Sequence, residues 1–410
     1  MTTEQNNKTL VLFTSAFPFG KGEQFIETEI VFLCNAFKEV HIYPLDWSGA
    51  ARPLPANAVV KQLKLYDAYS RAKLLLRRAF TLFGLYRKQQ KLTRHPDKYK
   101  GRCRQQFSYL MHRVADAEKL GTRLAEYDPQ KTVLYSYWFN VWTTALIFSK
   151  HLGYHPMNIR TRAHGGDLDE QQRKSGYFPF RSLEMSMIDS VITVSEYGRQ
   201  LLAKQYPQQA RKITVSRLGV TDYGDNPFAP APVFRVVTCS FVYGLKRLHL
   251  VAEILEQLKF PVEWVHFGEG ELLEELKARA AKLPPHITTV FRGLVPNTEV
   301  LEYYRTNQVD YFMNVSELEG IPVSIMEAIS FGIPVTGCNI CGVPEIVTEQ
   351  TGLLFEKDFS TADAAARLTA YQAIGHERKV EFRRGVKLFW EENFRAEKNY
   401  SVFIYDHLSS

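Results

Sequence analysis

Ser316-Glu317-Leu318-Glu319-Gly320-Ile321-Pro322-Val323-Ser324-Ile325-Met326-Glu327-Ala328 is the stretch whose reading decides the fold. The residues before it, 309–315, are mostly apolar and read as a buried strand. The chain then turns through Gly320 and starts a helix at Pro322. Proline suits the first helical position because its missing N–H would be unpaired there anyway. The N–H groups of that first turn face outward and form a site for an anion such as phosphate. Glu319 lies on the loop, and Glu327 lies more than a turn inside the helix. Such an arrangement suits a diphosphate on the helix end and hydroxyl-bearing groups on the two carboxylates, which is the chemistry of a nucleotide sugar.

Outward from this stretch, strands and helices alternate. In the first half, strands are expected at 9–14, 39–44, 132–137, 158–163, 190–194 and 213–216. Helices are expected at 23–37, through most of 61–125, and at 142–152 and 197–205. Residues 225–232 are proline-rich without periodicity and read as the domain boundary. The pattern restarts with strands at 235–241, 262–267, 287–291, 309–315, 334–337 and 353–355. Helices at 248–257, 271–283, 297–305 and 322–331 separate them, and more helices run to the end. This alternation implies parallel sheets covered by helices. The expected fold class is α/β, with two Rossmann-like doubly wound domains at 1–222 and 233–389. Ligands of such sheets bind at the carboxyl ends of the strands, here in a central cleft between the domains. Residues 390–410, with Tyr400, Phe403 and Tyr405, are expected to return to the first domain.

At 410 residues, 45% hydrophobic and 23% charged, the chain fits a soluble protein of two ordinary domains. It has no run of about 18 apolar residues, so no transmembrane helix is expected. The polar residues 1–8 lack signal-peptide architecture, which makes the cytoplasm the expected compartment. Five scattered cysteines do not make a disulfide framework. Cys338-x-x-Cys341 precedes a Gly-Val-Pro loop rather than a helix, so redox or metal use is not expected there.

The charge is uneven. Residues 61–113 hold Lys/Arg at 61, 64, 71, 73, 77, 78, 87, 88, 91, 94, 98, 100, 102, 104 and 113, opposed only by Asp67 and Asp97. That is +13 in a chain of +7. Leu74, Leu75, Leu76, Phe80, Leu82, Phe83, Leu85 and Tyr86 are interleaved. A basic, partly amphipathic segment suits an anionic membrane surface, here the cytoplasmic face of the inner membrane. The alternative is a solvated helical face packed on its own domain. No zinc-finger or RNP-like motif points to nucleic acid.

Glu319-x7-Glu327, followed by Gly332-Ile333-Pro334-Val335 and Gly342-Val343-Pro344-Glu345, resembles the donor-binding signature of retaining glycosyltransferases of family 4, which have the GT-B fold. Residues 17–23 (Phe-Pro-Phe-Gly-Lys-Gly-Glu) resemble the glycine-containing loop after the first strand, which places Gly20 at the donor. His164-Gly165-Gly166-Asp167 resembles the family's H-G-x-D turn, and Lys246 its phosphate-binding lysine. Phe267-Gly268-Glu269-Gly270 and Phe291-Arg292-Gly293 fit strand ends that cradle the nucleotide, through Gly268 and Arg292.

The resemblance implies that His164, Lys246 and Glu319 are catalytic. It implies donor contacts from Gly20, Arg247, Gly268, Arg292, Glu319, Gly320, Ile321, Pro322, Val323 and Glu327. The Gly342-Val343 loop would approach the sugar closely, since Gly342 has no side chain. Glu327 would accept from ribose hydroxyls, and Glu319 would face the sugar. His164 would reach the sugar from the opposite domain. Retention of configuration follows, with the departing phosphate taking the acceptor's proton. No metal and no cofactor beyond the nucleotide-sugar substrate are expected, and a UDP-sugar is favoured over a GDP-sugar.

One departure stands out. Phe241 occupies the place where the family usually has an arginine, five residues before Lys246. Arg247 is the candidate to supply the missing charge. Asp167-Leu168-Asp169 matches a D-x-D metal motif of another glycosyltransferase fold, but Asp167 is read here as part of the turn. Glu23 and Glu27 are read as opening a helix, where carboxylates favour the dipole.

The leading expectation is transfer of a hexosyl or N-acetylhexosaminyl group to a glycan acceptor, in cell-surface polysaccharide or lipid-linked oligosaccharide synthesis. A nucleotide-sugar 2-epimerase is a second possibility, recognised by conversion of donor alone. A non-catalytic nucleotide-sugar-binding protein is a third, kept open by Phe241. An NAD-dependent dehydrogenase is disfavoured because Gly20-Lys21-Gly22 lacks the third glycine of G-x-G-x-x-G.

Overall fold

The structure is a computed structural model that describes residues 6–20, 22–65, 71–93, 101–168, 170 and 176–409. Lys21, Asp67, Arg94, Asp97, Lys98, Lys100 and Asp169 therefore lie outside the described residues. The chain divides into two compact units, Met1–Ser216 with Tyr400–Ser410, and Arg217–Asn399.

The first unit is built on seven strands: β1 (Asn6–Thr14), β2 (Phe37–Pro44), β3 (Ala58–Val60), β4 (Thr132–Ser136), β5 (Ile159–Ala163), β6 (Ser190–Thr193) and β7 (Ile213–Val215). Their order is β3-β2-β1-β4-β5-β6-β7, and every pairing is parallel. Leu10, Val11, Leu12 and Phe13 of β1 are wholly buried. A continuous apolar strand of this kind needs cover on both faces, which the flanking helices supply. Helix starts follow local chemistry. Asn140 accepts from Trp142 N at 2.9 Å, and Ser195 accepts from Gly198 N at 3.0 Å, each satisfying an otherwise unpaired first-turn donor.

The second unit repeats the plan with β8 (Phe234–Cys239), β9 (Val262–Phe267), β10 (Ile287–Gly293), β11 (Tyr311–Met313), β12 (Val335–Cys338) and β13 (Gly352–Phe355). The order is β10-β9-β8-β11-β12-β13, again all parallel. Both sheets thus have the doubly wound order, which reverses beside the first strand of each unit, between β1 and β4 and between β8 and β11. A crevice opens at the carboxyl ends of the strands at such a reversal.

Three expectations change. The helix expected from residue 23 begins at Ile26, because Glu23 has a left-handed backbone, φ 57°. The short edge strand β3 was not anticipated. The stretch 225–232 is not a free linker between units. Asn226 is buried in the second unit, where its amide donates to Tyr304 O and to Asn307 O at 2.7 Å. Its Oδ1 accepts from Val309 N at 2.9 Å and Arg383 Nη2 at 2.8 Å.

The C-terminal stretch does return, from Tyr400 onward, as part of the first unit. Phe403 is fully buried there. Its ring lies 4.1 Å from the Arg162 guanidinium and 5.3 Å from the Tyr135 ring. Arg162 is itself paired with Glu29, both side chains at 0% exposure.

Candidate active site at the switch point of the second sheet

The reversal between β8 and β11 brings two loops together. Residues 240–247 follow β8, and residues 314–322 follow β11. Glu317 N donates to Leu245 O at 2.9 Å, which ties one loop to the other. Lys246 Nζ and Glu319 Oε1 form an ion pair, with side-chain exposures of 24% and 14%. Asn314 donates to the same carboxylate oxygen at 3.4 Å, while its Oδ1 accepts from Ser316 N at 3.0 Å. Asn314 was not singled out from sequence. A polar side chain inside the otherwise apolar run near its end was the available signal.

The helix beyond this loop is Val323–Ser330. Pro322 is its N-cap, with extended ψ of 122°, rather than its first helical residue. The Pro322 carbonyl accepts from Ile325 N at 3.1 Å and Met326 N at 3.3 Å. Gly320 O accepts from Gly342 N at 3.1 Å, so the Gly342-Val343 loop lies against the Glu319-Gly320 loop. Val343 is buried, and an added Cβ at Gly337 would come within 2.6 Å of its Cγ1.

Glu327 is buried on this helix at 7% exposure. Asn297 Nδ2 donates to its Oε1 at 2.8 Å. Burial raises its pKa to about 7, partly opposed by the Asn297 bond. In the unfolded chain a glutamate titrates near ~4.3. From there to pH 7 the unfolded chain has lost this proton and the folded chain still holds it. Stability is therefore full below the lower value and falls as pH rises toward the upper one. Relative to Glu327→Gln, the wild type should lose roughly 3 kcal/mol between about pH 4.5 and 7.5, then level off. Urea unfolding of both proteins across that range checks this, and parallel curves would refute it.

Arg247 does not take up the charge that Phe241 leaves out. It has a left-handed backbone, φ 50°, and its guanidinium is committed to the framework. Nε donates to Val315 O at 2.7 Å, Nη1 to Lys357 O at 2.7 Å and Nη2 to Cys338 Sγ at 3.2 Å. All three nitrogens hold strand ends together. Phe241 is 46% exposed and stacks on Tyr243 at 5.6 Å between ring centroids. A Phe241→Arg variant should therefore tighten nucleoside-diphosphate binding by a few-fold to about tenfold, the worth of one charge-assisted bond at a partly exposed site. Calorimetric titration reads this directly, and unchanged affinity would show that position 241 does not face the phosphates.

Gly268 is required by packing. At φ 138° an added Cβ would fall 1.9 Å from Ser240 O. Arg292 is exposed and lies over the Tyr303 ring at 5.7 Å.

In the first unit, His164 directly follows β5 and lies among aromatic rings, its centroid 4.4 Å from that of Trp138 and 5.0 Å from that of Tyr137. Its Nδ1 is 3.8 Å from Asp167 Oδ2. Neither ring nitrogen has a hydrogen-bond partner among the described residues. Burial lowers the imidazole's proton affinity, with Asp167 opposing. Asp167 closes the turn by accepting from Phe139 N and His164 N, both at 3.3 Å.

The loop after β1 differs from the expectation for Gly20. The amides that would face a ligand at this switch point are taken by the chain's own Glu23. Its carboxylate accepts from Ser15 N at 3.0 Å and from Ala16 N and Phe17 N at 2.6 Å. The Trp138 indole donates to it as well. Gly20 itself is exposed at φ 67°, and its carbonyl accepts from Arg52 at 2.8 Å. The amides that Glu23 caps are only six to eight residues away, but Trp138, which also holds the carboxylate, is 115 residues away.

Among the described residues, no group of three or more His, Cys, Asp or Glu could hold a metal ion. Cys338 and Cys341 are not joined by a disulfide.

Comparison with known proteins places this geometry. WcaL of Escherichia coli (strain K12), which carries the name of a colanic acid biosynthesis glycosyltransferase, is 27% identical over 237 residues, 55% of this chain and 58% of the relative. The match thus spans little more than half of that relative's own length. The amylovoran biosynthesis glycosyltransferase AmsK of Erwinia amylovora is 28% identical over 163 residues, 37% of this chain and 39% of the relative. Anabaena HepE in complex with UDP superposes at a TM-score of 0.66 and 15% identity, covering 98% of this chain and 100% of that one. The two doubly wound sheets are those of the GT-B fold. Residues 235–380 match the model of glycosyl transferases group 1, so the second unit, with the loops just described, carries a glycosyltransferase group 1 domain.

Proposed function

We propose that this chain is a retaining glycosyltransferase. It moves a hexosyl or N-acetylhexosaminyl group from a UDP-sugar to a glycan acceptor in polysaccharide synthesis. The observation that carries the reading is the Lys246–Glu319 ion pair at the switch point, where loop 314–322 leads into the helix that buries Glu327. The names of WcaL and AmsK support the polysaccharide clause, and HepE's UDP complex supports the donor clause.

In this reading the diphosphate takes the Lys246 ammonium and the first-turn N–H groups of Val323–Ser330. As the bond from the anomeric carbon to the diphosphate oxygen breaks, negative charge collects on that oxygen. Fixed donors aimed there stabilise the transition state. The acceptor hydroxyl forms the new bond on the same face and gives its proton to the departing phosphate. Glu319 faces the positive charge that builds on the sugar, beside Gly342 and Val343. Glu327 accepts from the ribose hydroxyls. His164, held neutral by burial, is the proposed contact to a sugar hydroxyl. No step requires a metal.

Calorimetric titration of UDP and GDP into wild type and Glu327→Ala tests the reading. The wild type should bind UDP, and the variant should bind about tenfold more weakly, the loss of one or two hydrogen bonds between the buried carboxyl group and the ribose hydroxyls. Absence of binding by either nucleotide to the wild type would overturn the proposal. Conversion of donor alone to an epimer would replace it with the epimerase.

A further inference from the structure

The helix Arg71–Leu92 has two unlike faces along 22 residues. Its inner face is anchored. Leu74, Leu82 and Leu85 are buried in the core of the first unit, and buried Gln89 accepts from Leu183 N at 2.9 Å. Its outer face is apolar where a surface helix is usually polar. Leu76 is 85% exposed, Phe80 95% and Phe83 59%. Spaced four and three apart, these side chains form one stripe. Lys73, Arg77, Arg87 and Lys91 lie on the same side and are exposed. Arg87 lies over the Phe83 ring at 5.5 Å, and Arg77 is 3.8 Å from Glu118 on a neighbouring helix. The helix itself contains no Asp or Glu.

A fully exposed phenylalanine is unfavourable in water. A row of large apolar side chains among cations matches one surface well: an anionic lipid interface, where rings enter the acyl boundary and cations meet the headgroups. We infer that the outer face of Arg71–Leu92 lies in the interface of an anionic membrane, with Leu76, Phe80 and Phe83 inserted and Lys73, Arg77, Arg87 and Lys91 at the phosphates. Since no helix among the described residues is long and apolar enough to cross a membrane, this is attachment in the plane of the surface. The inference does not depend on sugar transfer, because the face belongs to the first unit and contains none of the proposed donor contacts.

The test is sedimentation of the full chain with vesicles of phosphatidylcholine, with and without phosphatidylglycerol. Wild type should bind the anionic vesicles, bind the neutral ones far more weakly, and be released as salt screens the charges. Phe80→Ser with Phe83→Ser should lower binding to anionic vesicles by about a hundredfold, the worth of two rings leaving the acyl boundary. Its melting temperature and UDP affinity should stay those of the wild type. Arg87→Glu with Lys91→Glu is the second variant, and it should abolish the preference for anionic over neutral vesicles. Three results would overturn the inference. Wild type could stay in the supernatant with anionic vesicles. The Phe variant could bind as the wild type does. Or the Phe variant could turn a dimer into a monomer in the ultracentrifuge without changing vesicle binding, which would make this face a contact between copies of the chain.

Discussion

Replacing Lys246 by alanine should lower the transfer rate at saturating donor by a factor on the order of 10²–10³, the usual effect of deleting one fixed donor to a developing anion. The ammonium is placed by framework contacts around it. Lys246 N donates to Tyr243 O at 2.9 Å, and the next loop is pinned to the Leu245 carbonyl. The charge is therefore positioned before reaction and needs little reorganisation. Its present partner is Glu319, so the variant also leaves that carboxylate without its cation. Arginine at 246 should restore only part of the rate, because a planar guanidinium does not replace a compact ammonium at a single point. In the proposed reaction Lys246 stabilises charge that grows on the leaving phosphate during bond breaking, so the fall should appear mainly in kcat. Steady-state kinetics with donor and acceptor varied separately would show this. A kcat within about threefold of wild type would remove Lys246 from the chemistry.

The largest effect on stability should come from the first unit. Glu29→Ala should destabilise the protein by about 3–5 kcal/mol, because it strands a buried guanidinium. Arg162 and Glu29 are both at 0% side-chain exposure, and Tyr135 OH donates to Glu29 Oε1 at 2.9 Å. Removing the carboxylate leaves Arg162 with the Phe403 ring, 4.1 Å away, as its main favourable neighbour. A ring face offsets only a small part of a missing carboxylate. The double variant Glu29→Met, Arg162→Met should recover most of the loss, since a buried pair replaced by apolar groups of similar size is close to neutral. Urea unfolding of the three proteins checks this. A loss under about 1 kcal/mol for Glu29→Ala would mean that water reaches the pair.

These two sites differ in how far the sequence exposes them. Glu319 is legible as a loop carboxylate after an apolar strand, where such sheets carry their ligand chemistry, and Lys246 through its resemblance to a family lysine. Their pairing is not legible, since 73 residues separate them. Glu29 could have been noticed, since it lies three residues after Ile26 and four before Leu33, on the buried side of its helix. Its partner Arg162 is 133 residues away in a strand, and only the sheet order brings the two elements together. Arg247 shows the reverse case. As a cation beside Lys246 it suits a ligand, yet its guanidinium is turned to Val315, Lys357 and Cys338. The exposed phenylalanines of Arg71–Leu92 fall between these cases. Composition announced a basic segment with aromatics, and burial decided which face the rings occupy.

What the sequence determined by itself was the succession of strands and helices, the two-sheet plan and the loop that carries Glu319. Strand and helix patterns and turn chemistry act over a few residues, so they are visible in the linear text. The tertiary structure alone decided which charges are spent on the chain and which remain for a ligand. Glu23 sits in the amides of residues 15–17, Arg247 closes strand ends, and Glu327 is buried far enough to hold a proton near neutrality. The Glu23 turn is local, but its closure by Trp138, the contacts of Arg247 and the burial of Glu327 depend on distance and solvent exclusion between segments far apart in the chain, and these are set only when the sheets assemble.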